Sequence, residues 1–433
     1  MVIFMKFYII GIKGTGLSAM ACLLSDLGFK VKGCDVTRYI FTQEKLIKKG
    51  IEFEDIHNMN YQEYDYIILG NTFWKQSLLE QLKKENKIVL TYQEMLSYFA
   101  SHYQSIAICG THGKTTTSHM IQTTLNSFHS CSYLIGDGEG KGTIDSQYFI
   151  FEACEYEDNF LNYRPDIIVL TNIDFDHVDY FKNQKQYNQS FLAFLNQSKD
   201  FILINQDDSQ TSTLKNELKV PYFTYGIEKD SDVQAKNVFF DEHGVTFDIK
   251  FHHQWYNHLH LPLFGKHLFY DALATIALNL ILKEDLKETI FALSHFTPAH
   301  RRFNIKELKN NVLIDDYGHH PSEIKNTILS IKQKYPHKNL NLIFHPDRYS
   351  RIAFFFEQYI EIFKNIPKVY IIPFINMKEN SEEENILKQF LNYPNIHLLN
   401  DEVFQNQYEN TVILLTGSKD MNYIIQPLIK ILS

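Results

Sequence analysis

Residues 106–117, Ile-Ala-Ile-Cys-Gly-Thr-His-Gly-Lys-Thr-Thr-Thr, run an apolar strand into a glycine turn that closes on Lys114 and Thr115. This order predicts a strand–loop–helix unit in a parallel α/β sheet and suits a nucleotide triphosphate. Gly110 and Gly113 let backbone N–H groups turn toward phosphate oxygens, Lys114 reaches the β- and γ-phosphates, and the Thr115 hydroxyl is placed to ligate Mg²⁺. Counted from Gly110, the loop is one residue shorter than the common G-x-x-x-x-G-K-[ST] form, so it reads as a variant phosphate loop.

The chain has 433 residues, too many for one ordinary core, and length alone suggests about three domains. A net charge of −9 with 44% hydrophobic residues excludes a disordered chain and gives no basic surplus for nucleic acid. Small-molecule substrates are therefore expected. Cys22, Cys34, Cys109, Cys131 and Cys154 are odd in number and widely spaced, which fits reduced thiols in the cytoplasm better than a disulfide scaffold or zinc site. The opening Met1–Gly11 has no basic stretch before its apolar run and reads as a first strand, not a signal peptide. No other apolar run is long enough for a bilayer, so no membrane partner is expected.

Strand Phe7–Ile10, the loop Gly11-Ile-Lys-Gly14-Thr15-Gly16 and a helical pattern over Leu17–Leu27 form a second strand–loop–helix unit. A strand from Lys30 to Gly33 ends at Asp35, and Tyr66–Leu69 and Lys87–Leu90 add strands between helical stretches. The alternation predicts a Rossmann-type domain ending near residue 100. Its glycine order, G-x-x-G-x-G, departs from the dinucleotide fingerprint and favours a diphosphate at the helix N-terminus over a nicotinamide cofactor.

The second segment continues with Tyr148–Phe151 ending at Glu152 and Ile167–Leu170 ending at Thr171-Asn172. Ligands in doubly wound sheets gather at the carboxyl ends of strands, so Glu152 and Asp174-Phe-Asp176-His177 should lie near the nucleotide, with His177 one strand from Glu152. Glu152 is positioned to hold Mg²⁺, and the His177 imidazole to complete a second divalent site; a strand-end glutamate and a hydrogen-bonded structural histidine are the plainer readings. Residues 220–262 read as an antiparallel appendage before a helical pattern over Tyr270–Leu282.

A third α/β segment starts near Thr297-Pro298 with strands at 312–315, 340–344, 368–372 and 412–415. Asp315-Asp316-Tyr317-Gly318-His319-His320-Pro321 and Phe344-His-Pro-Asp347-Arg348-Tyr-Ser-Arg351 both follow strands and should face one crevice. Arg348 and Arg351, three apart on a first helical turn, could receive a carboxylate together or be surface residues. Arg301 and Arg302 at the junction could neutralise phosphate or solvate a linker.

Taken in order, Gly110–Thr117, Glu152-Ala-Cys-Glu155-Tyr-Glu, Thr171–His177, Arg301-Arg-Phe303, Asp316–Pro321 and Arg348–Arg351 resemble the Mur ligase family, and the likeness reaches Thr416-Gly-Ser-Lys-Asp420. The resemblance implies three α/β domains: a Rossmann-like N-terminal domain for the UDP substrate over 1–100, a P-loop ATPase domain over 101–297, and a Rossmann-like amino-acid domain over 298–433. It implies ATP binding by Gly110, Thr111, His112, Gly113, Lys114, Thr115, Thr116, His267 and Arg302. It assigns the UDP substrate to Gly11, Gly14, Thr15, Gly16, Asp35 and Glu155. Metal falls to Thr115, Glu152 and His177, with two Mg²⁺ ions, and the amino acid to Tyr317, His319, Arg348 and Arg351. Lys114, His319, Arg348 and Arg351 are the expected catalytic groups. The implied activity is ATP-dependent joining of L-alanine to the lactyl carboxylate of UDP-N-acetylmuramate through an acyl phosphate, in peptidoglycan precursor synthesis, by a monomer or weak homodimer.

The chain departs from the family pattern in places. Gly265-Lys-His267-Leu268-Phe-Tyr-Asp271 stands for Gly-x-His-Asn-x-x-Asn, Asp347 for a histidine, Gly70-Asn71-Thr72 for Ser-Ser-Ala, and Ser190–Leu195 contains no lysine for carbamylation. The rival readings are a recycling ligase that attaches a ready-made tripeptide, a nucleotide-dependent switch or transport ATPase, and a ligase-like binding protein without turnover.

Overall fold

A computed structural model describes residues 5–374, 377–378 and 381–433, so Met1–Phe4 of the opening run lie outside the described residues. Three sheets divide the chain. The first is fully parallel, in the order Glu52–Asp55, Lys30–Asp35, Lys6–Ile10, Tyr66–Leu69, Ile88–Thr91. The second has ten strands and centres on Gln104–Cys109, which pairs in parallel with Ile167–Leu170 on one side and Tyr148–Glu152 on the other. The third runs Asn304–Leu308, Asn311–Asp316, Thr411–Thr416, Asn339–Phe344, Lys368–Ile371, Ile396–Leu398, with only its first pair antiparallel.

The central strands Ser-Ile-Ala-Ile-Cys, Phe-Ile-Phe and Ile-Ile-Val-Leu are buried on both faces, as a parallel sheet covered by helices requires. The 220–262 region extends this same sheet: Tyr222–Gly226 joins in parallel and Val233–Asp241, Gly244–Phe251 and Gln254–Leu261 follow as an antiparallel meander. The helix expected over 270–282 begins earlier, at Lys266, because Gly265 with φ +98° turns the chain into it. Among the described residues, no helix is long and apolar enough to cross a membrane.

The first two sheets share a core. Helix Thr15–Asp26 buries every residue from Leu17 to Leu24, since the hairpin Cys131–Ile135 and Glu139–Lys141 packs on the side that its own sheet leaves open. A Cβ on Gly140 would sit 2.0 Å from the Ala19 carbonyl oxygen, so only glycine permits this approach. One apolar cluster runs from Ile9, Met20 and Leu24 to Phe149, Phe151 and Ile168. The third sheet carries its own cores around Ile314, Leu342 and Tyr359 and around Leu415 and Ile424.

Candidate functional site

The phosphate loop forms as its residues dictate. Gly110 has φ +135° and Gly113 φ +82°; a Cβ would meet Thr171 Oγ1 at 2.0 Å or Asp271 Oδ1 at 2.4 Å. Asn172 fixes the turn, accepting from the His112 N–H at 3.0 Å and donating to the His112 carbonyl at 2.9 Å. The Thr111 hydroxyl bonds Tyr187 at 2.9 Å. Lys114 folds back over its own loop, donating to the Gly110 and Thr111 carbonyls and to Glu155 Oε2 at 2.9 Å. Burial opposes charge on both partners, but their mutual attraction wins: the Lys114 amine is held above its usual range and the Glu155 carboxyl below its own.

Glu152 and His177 flank this loop. The phosphate strand Gln104–Cys109 lies between their strands, so they are two strands apart and not one, a correction that follows from the doubly wound strand order. The Thr115 hydroxyl donates to Glu152 Oε2 at 3.2 Å and the Gly136 N–H to Oε1 at 2.6 Å, while burial raises the Glu152 carboxyl. His177 Nε2 is 3.3 Å from Glu155, and its Nδ1 is buried without a hydrogen-bond partner.

A cavity of about 570 Å³ joins all three modules. Thr15 and Gly16 line it from the first, Thr111–Thr116, Glu152, Glu155 and His177 from the second, and Arg301, Arg302, Tyr317, His319 and Arg351 from the third. Gly11, Gly14 and Asp35 stand behind it and shape the first loop: Asp35 is buried and accepts the Lys13 N–H at 2.7 Å. Glu155 thus contacts the phosphate-loop lysine as well as facing the first loop. A second cavity of about 430 Å³ opens on the other side of the phosphate loop, lined by Gly113, Thr116, Asn172, His267, Leu268, Asp271 and Arg302. Burial lowers the His267 imidazole to about 4 and raises the Asp271 carboxyl to about 8, although Thr117 donates to it at 3.1 Å.

The two arginine pairs split. Arg301 is buried and donates to Asp315 at 3.1 Å and to the Gly417 carbonyl at 2.6 Å, holding the third sheet together. Arg302 stacks 4.7 Å over the Tyr317 ring and reaches the Thr115 hydroxyl at 3.4 Å. Arg348 and Arg351 do not point the same way. Arg348 precedes the short helix Tyr349–Phe354, pairs with Asp179 at 2.9 Å over the Tyr156 ring, and does not line the cavity. Arg351 lines it, fastened to Asp176 at 3.0 and 3.2 Å and to Asp347 at 3.3 Å. His319 is half-buried, and its loss of hydration lowers the imidazole below the usual range and favours the neutral form; its Nδ1 is 3.2 Å from the Tyr317 carbonyl oxygen.

Sequence reasoning missed Glu323. Its carboxylate accepts the His319 and His320 N–H groups at 3.0 and 3.1 Å and approaches His112 Nδ1 at 3.3 Å, so it ties the third module to the phosphate loop. The signal was present as a capping spacing, His320-Pro-Ser-Glu323, ahead of helix Pro321–Lys334.

Three α/β modules meeting at a phosphate loop, with a carboxylate against its threonine, define a nucleotide-handling enzyme of ligase architecture. Models of the Mur ligase family catalytic domain, the Mur ligase middle domain and the Mur ligase glutamate ligase domain match residues 6–104, 108–279 and 301–419. A curated UDP-N-acetylmuramate–L-alanine ligase of Lacticaseibacillus casei is 39% identical over 422 residues, 96% of this chain and 96% of the relative. The chain belongs to the Mur ligase family. In fold it resembles the crystal structure of a UDP-N-acetylmuramate-alanine ligase of Thermotoga maritima, with a TM-score of 0.79 at 23% identity over 98% of both chains. It also resembles a murein peptide ligase of Psychrobacter arcticus, with a TM-score of 0.72 at 20% identity over 99% of this chain and 98% of that one.

Proposed function

We propose that this protein joins L-alanine to the lactyl carboxylate of UDP-N-acetylmuramate at the expense of ATP, in peptidoglycan precursor synthesis. The likeness to curated ligases of that name over nearly the whole chain supports the reading. The observation that carries it is the single cavity where both glycine loops and the Tyr317–His319–Arg351 group converge. In this reading residues 1–100 hold the UDP substrate, 101–297 hold ATP, and 298–433 bring the amino acid. The enzyme is cytoplasmic, acts on no nucleic acid or membrane, and works as a monomer or weak homodimer.

The residues fit Mg²⁺. Thr115 and the half-buried Glu152 present oxygen ligands side by side, and the orphaned His177 Nδ1 offers a nitrogen for a second ion. Bound Mg²⁺ supplies positive charge that lets an anionic acid approach an anionic phosphate. The rest of the chemistry falls to this chain's own groups. Gly11, Gly14, Thr15, Gly16 and Asp35 carry the sugar nucleotide, with its carboxylate directed to the phosphate loop. Gly110–Thr116 cradle the triphosphate, with His267 beside the base and Arg302 over the phosphates. Lys114 exchanges its own loop carbonyls for the γ-phosphate.

A carboxylate oxygen attacks the γ-phosphorus, the bond to ADP breaks, and an acyl phosphate forms. The amine of alanine then attacks the acyl carbon, phosphate departs, and the amine proton passes to neutral His319. Three of the five N–H donors of Arg351 are engaged, which leaves two for the alanine carboxylate. Tyr317 walls the amino-acid site, and Arg348 closes it when the third module moves.

The test is ADP release measured with each substrate omitted in turn, then with an amino-acid panel that includes a tripeptide. ADP that appears only with both UDP-N-acetylmuramate and L-alanine supports the reading. ADP formed equally without the sugar nucleotide indicates a nucleotide switch, turnover with tripeptide alone indicates a recycling ligase, and binding without ADP indicates a ligase-like binding protein.

A further inference from the structure

One side-chain cluster takes no part in the chemical steps, although the His112 backbone belongs to the loop that cradles the triphosphate. His112 on the phosphate loop, Asp174 after strand Ile167–Leu170, and His320 at the start of helix Pro321–Lys334 bring two imidazoles and a carboxylate together, with one ligand atom from each within 4.8 Å of the others. His112 Nε2 is 3.0 Å from Asp174 Oδ2, His320 Nδ1 is 3.6 Å from the same oxygen, and the imidazole rings lie 4.9 Å apart. Ligand atoms held about 2 Å from a tetrahedral zinc ion are themselves roughly 3.3 Å apart, so the set closes on such an ion with small side-chain movements.

Two further observations point to a ligand. His320 Nδ1 accepts the Ser322 N–H at 3.3 Å as the helix cap, so the nitrogen left for an ion is Nε2, which has no hydrogen-bond partner in a side chain only 2% exposed. Glu323 Oε1 lies 3.3 Å from His112 Nδ1, the ring nitrogen opposite the one that faces Asp174, which is the second-layer carboxylate that orients a zinc-bound histidine. The donors select the metal: two imidazoles favour zinc or a neighbouring transition ion over Mg²⁺, which prefers oxygen.

We propose that His112, Asp174 and His320 form a zinc site, separate from the magnesium ligands, that pins the third module to the phosphate loop. Three protein ligands leave a fourth position for water. Because two ligands belong to the central module and one to the third, the ion acts as a clamp across their interface.

The experiment titrates zinc into the full-length protein in excess Mg²⁺ against a chelating dye, and records the visible spectrum with Co²⁺. One tight zinc per chain and the ligand-field bands of a four-coordinate cobalt site are expected. His320→Asn keeps a helix-capping residue and should weaken zinc at least 100-fold. Glu323→Gln keeps the capping spacing and should weaken it 10- to 100-fold, while His177→Ala should leave it unchanged. Wild-type affinity in both His320→Asn and Glu323→Gln, or loss of zinc in His177→Ala, overturns the site; Glu323→Gln carries the test if His320→Asn does not fold.

Discussion

Lys114 and Glu155 form a buried ion pair at 2.9 Å, with the Glu155 side chain only 1% exposed, so the phosphate-loop lysine is held by its own protein before any phosphate arrives. The pair makes stability and activity separable. Lys114→Ala should reduce ligation at least 100-fold, the scale of losing one main electrostatic contact in a transition state. It should also lower the melting temperature, because the buried Glu155 carboxylate would keep only His177 as a partner and removing one member of a buried pair costs about 3–5 kcal/mol. Lys114→Ala/Glu155→Gln should recover most of the melting temperature and none of the activity. Calorimetry beside an ADP-release assay checks this, and recovered turnover would assign Lys114 a purely structural role.

Asp271 gives a pH signature. Burial raises its carboxyl from 3.8 to about 8, so between those values the folded state binds the proton that the unfolded chain releases. This contribution to stability is greatest at low pH and declines as pH rises toward 8, by on the order of 5 kcal/mol at most. Asp271→Asn, the residue type usual in the family, should therefore raise the melting temperature more at pH 8 than at pH 5. Equal gains at both would show that Asp271 is ionised throughout.

Arg351 is aimed by Asp176. Burial opposes charge on Asp176, but Arg351 and then His177 outweigh it and hold the carboxyl below the usual range. Breaking such a pair costs about 3–5 kcal/mol. Asp176→Asn should destabilise the fold and raise the KM for the amino acid at least tenfold, with a smaller change in the KM for ATP. Steady-state kinetics with each substrate varied distinguishes this from a general loss of active protein.

The modules are joined unequally. The first and second share one apolar core, whereas the third meets the second mainly through polar groups: Arg351–Asp176, Arg348–Asp179, Arg302–Thr115, His112–Glu323 and Ser322–Asp174. A chain ending at residue 297 should unfold cooperatively. One ending at residue 100 exposes Leu17, Met20, Leu23 and Leu24 and should aggregate. Scanning calorimetry of both truncations checks this, and a stable 1–100 fragment would refute the shared core.

Much of this was legible in the sequence because the relevant signals are local. The two glycine loops, the strands ending at Glu152 and Asn172, and the third-module strands are short-range patterns that tertiary packing did not override. The division at residue 100 overlooked the shared core, although its signal stands in Leu-Ser-Ala-Met-Ala-Cys-Leu-Leu: a helix apolar on every side must be covered on every side. What the sequence could not give was partner choice. Spacing allowed Arg348 and Arg351 to act together, but Asp179 and Asp176 lie far off in the chain and draw them apart. Glu323 and Asp271 escaped for the same reason, since what each contacts depends on how distant segments meet.

In the proposed reaction the sugar carboxylate attacks the γ-phosphate in a cavity shared by all three modules. This attack is tested most directly by supplying UDP-N-acetylmuramate labelled with ¹⁸O in its lactyl carboxylate, together with ATP and L-alanine, and weighing the released phosphate. One ¹⁸O atom should appear in each released phosphate; phosphate that carries none while the amide forms would rule out attack by the carboxylate on the γ-phosphate.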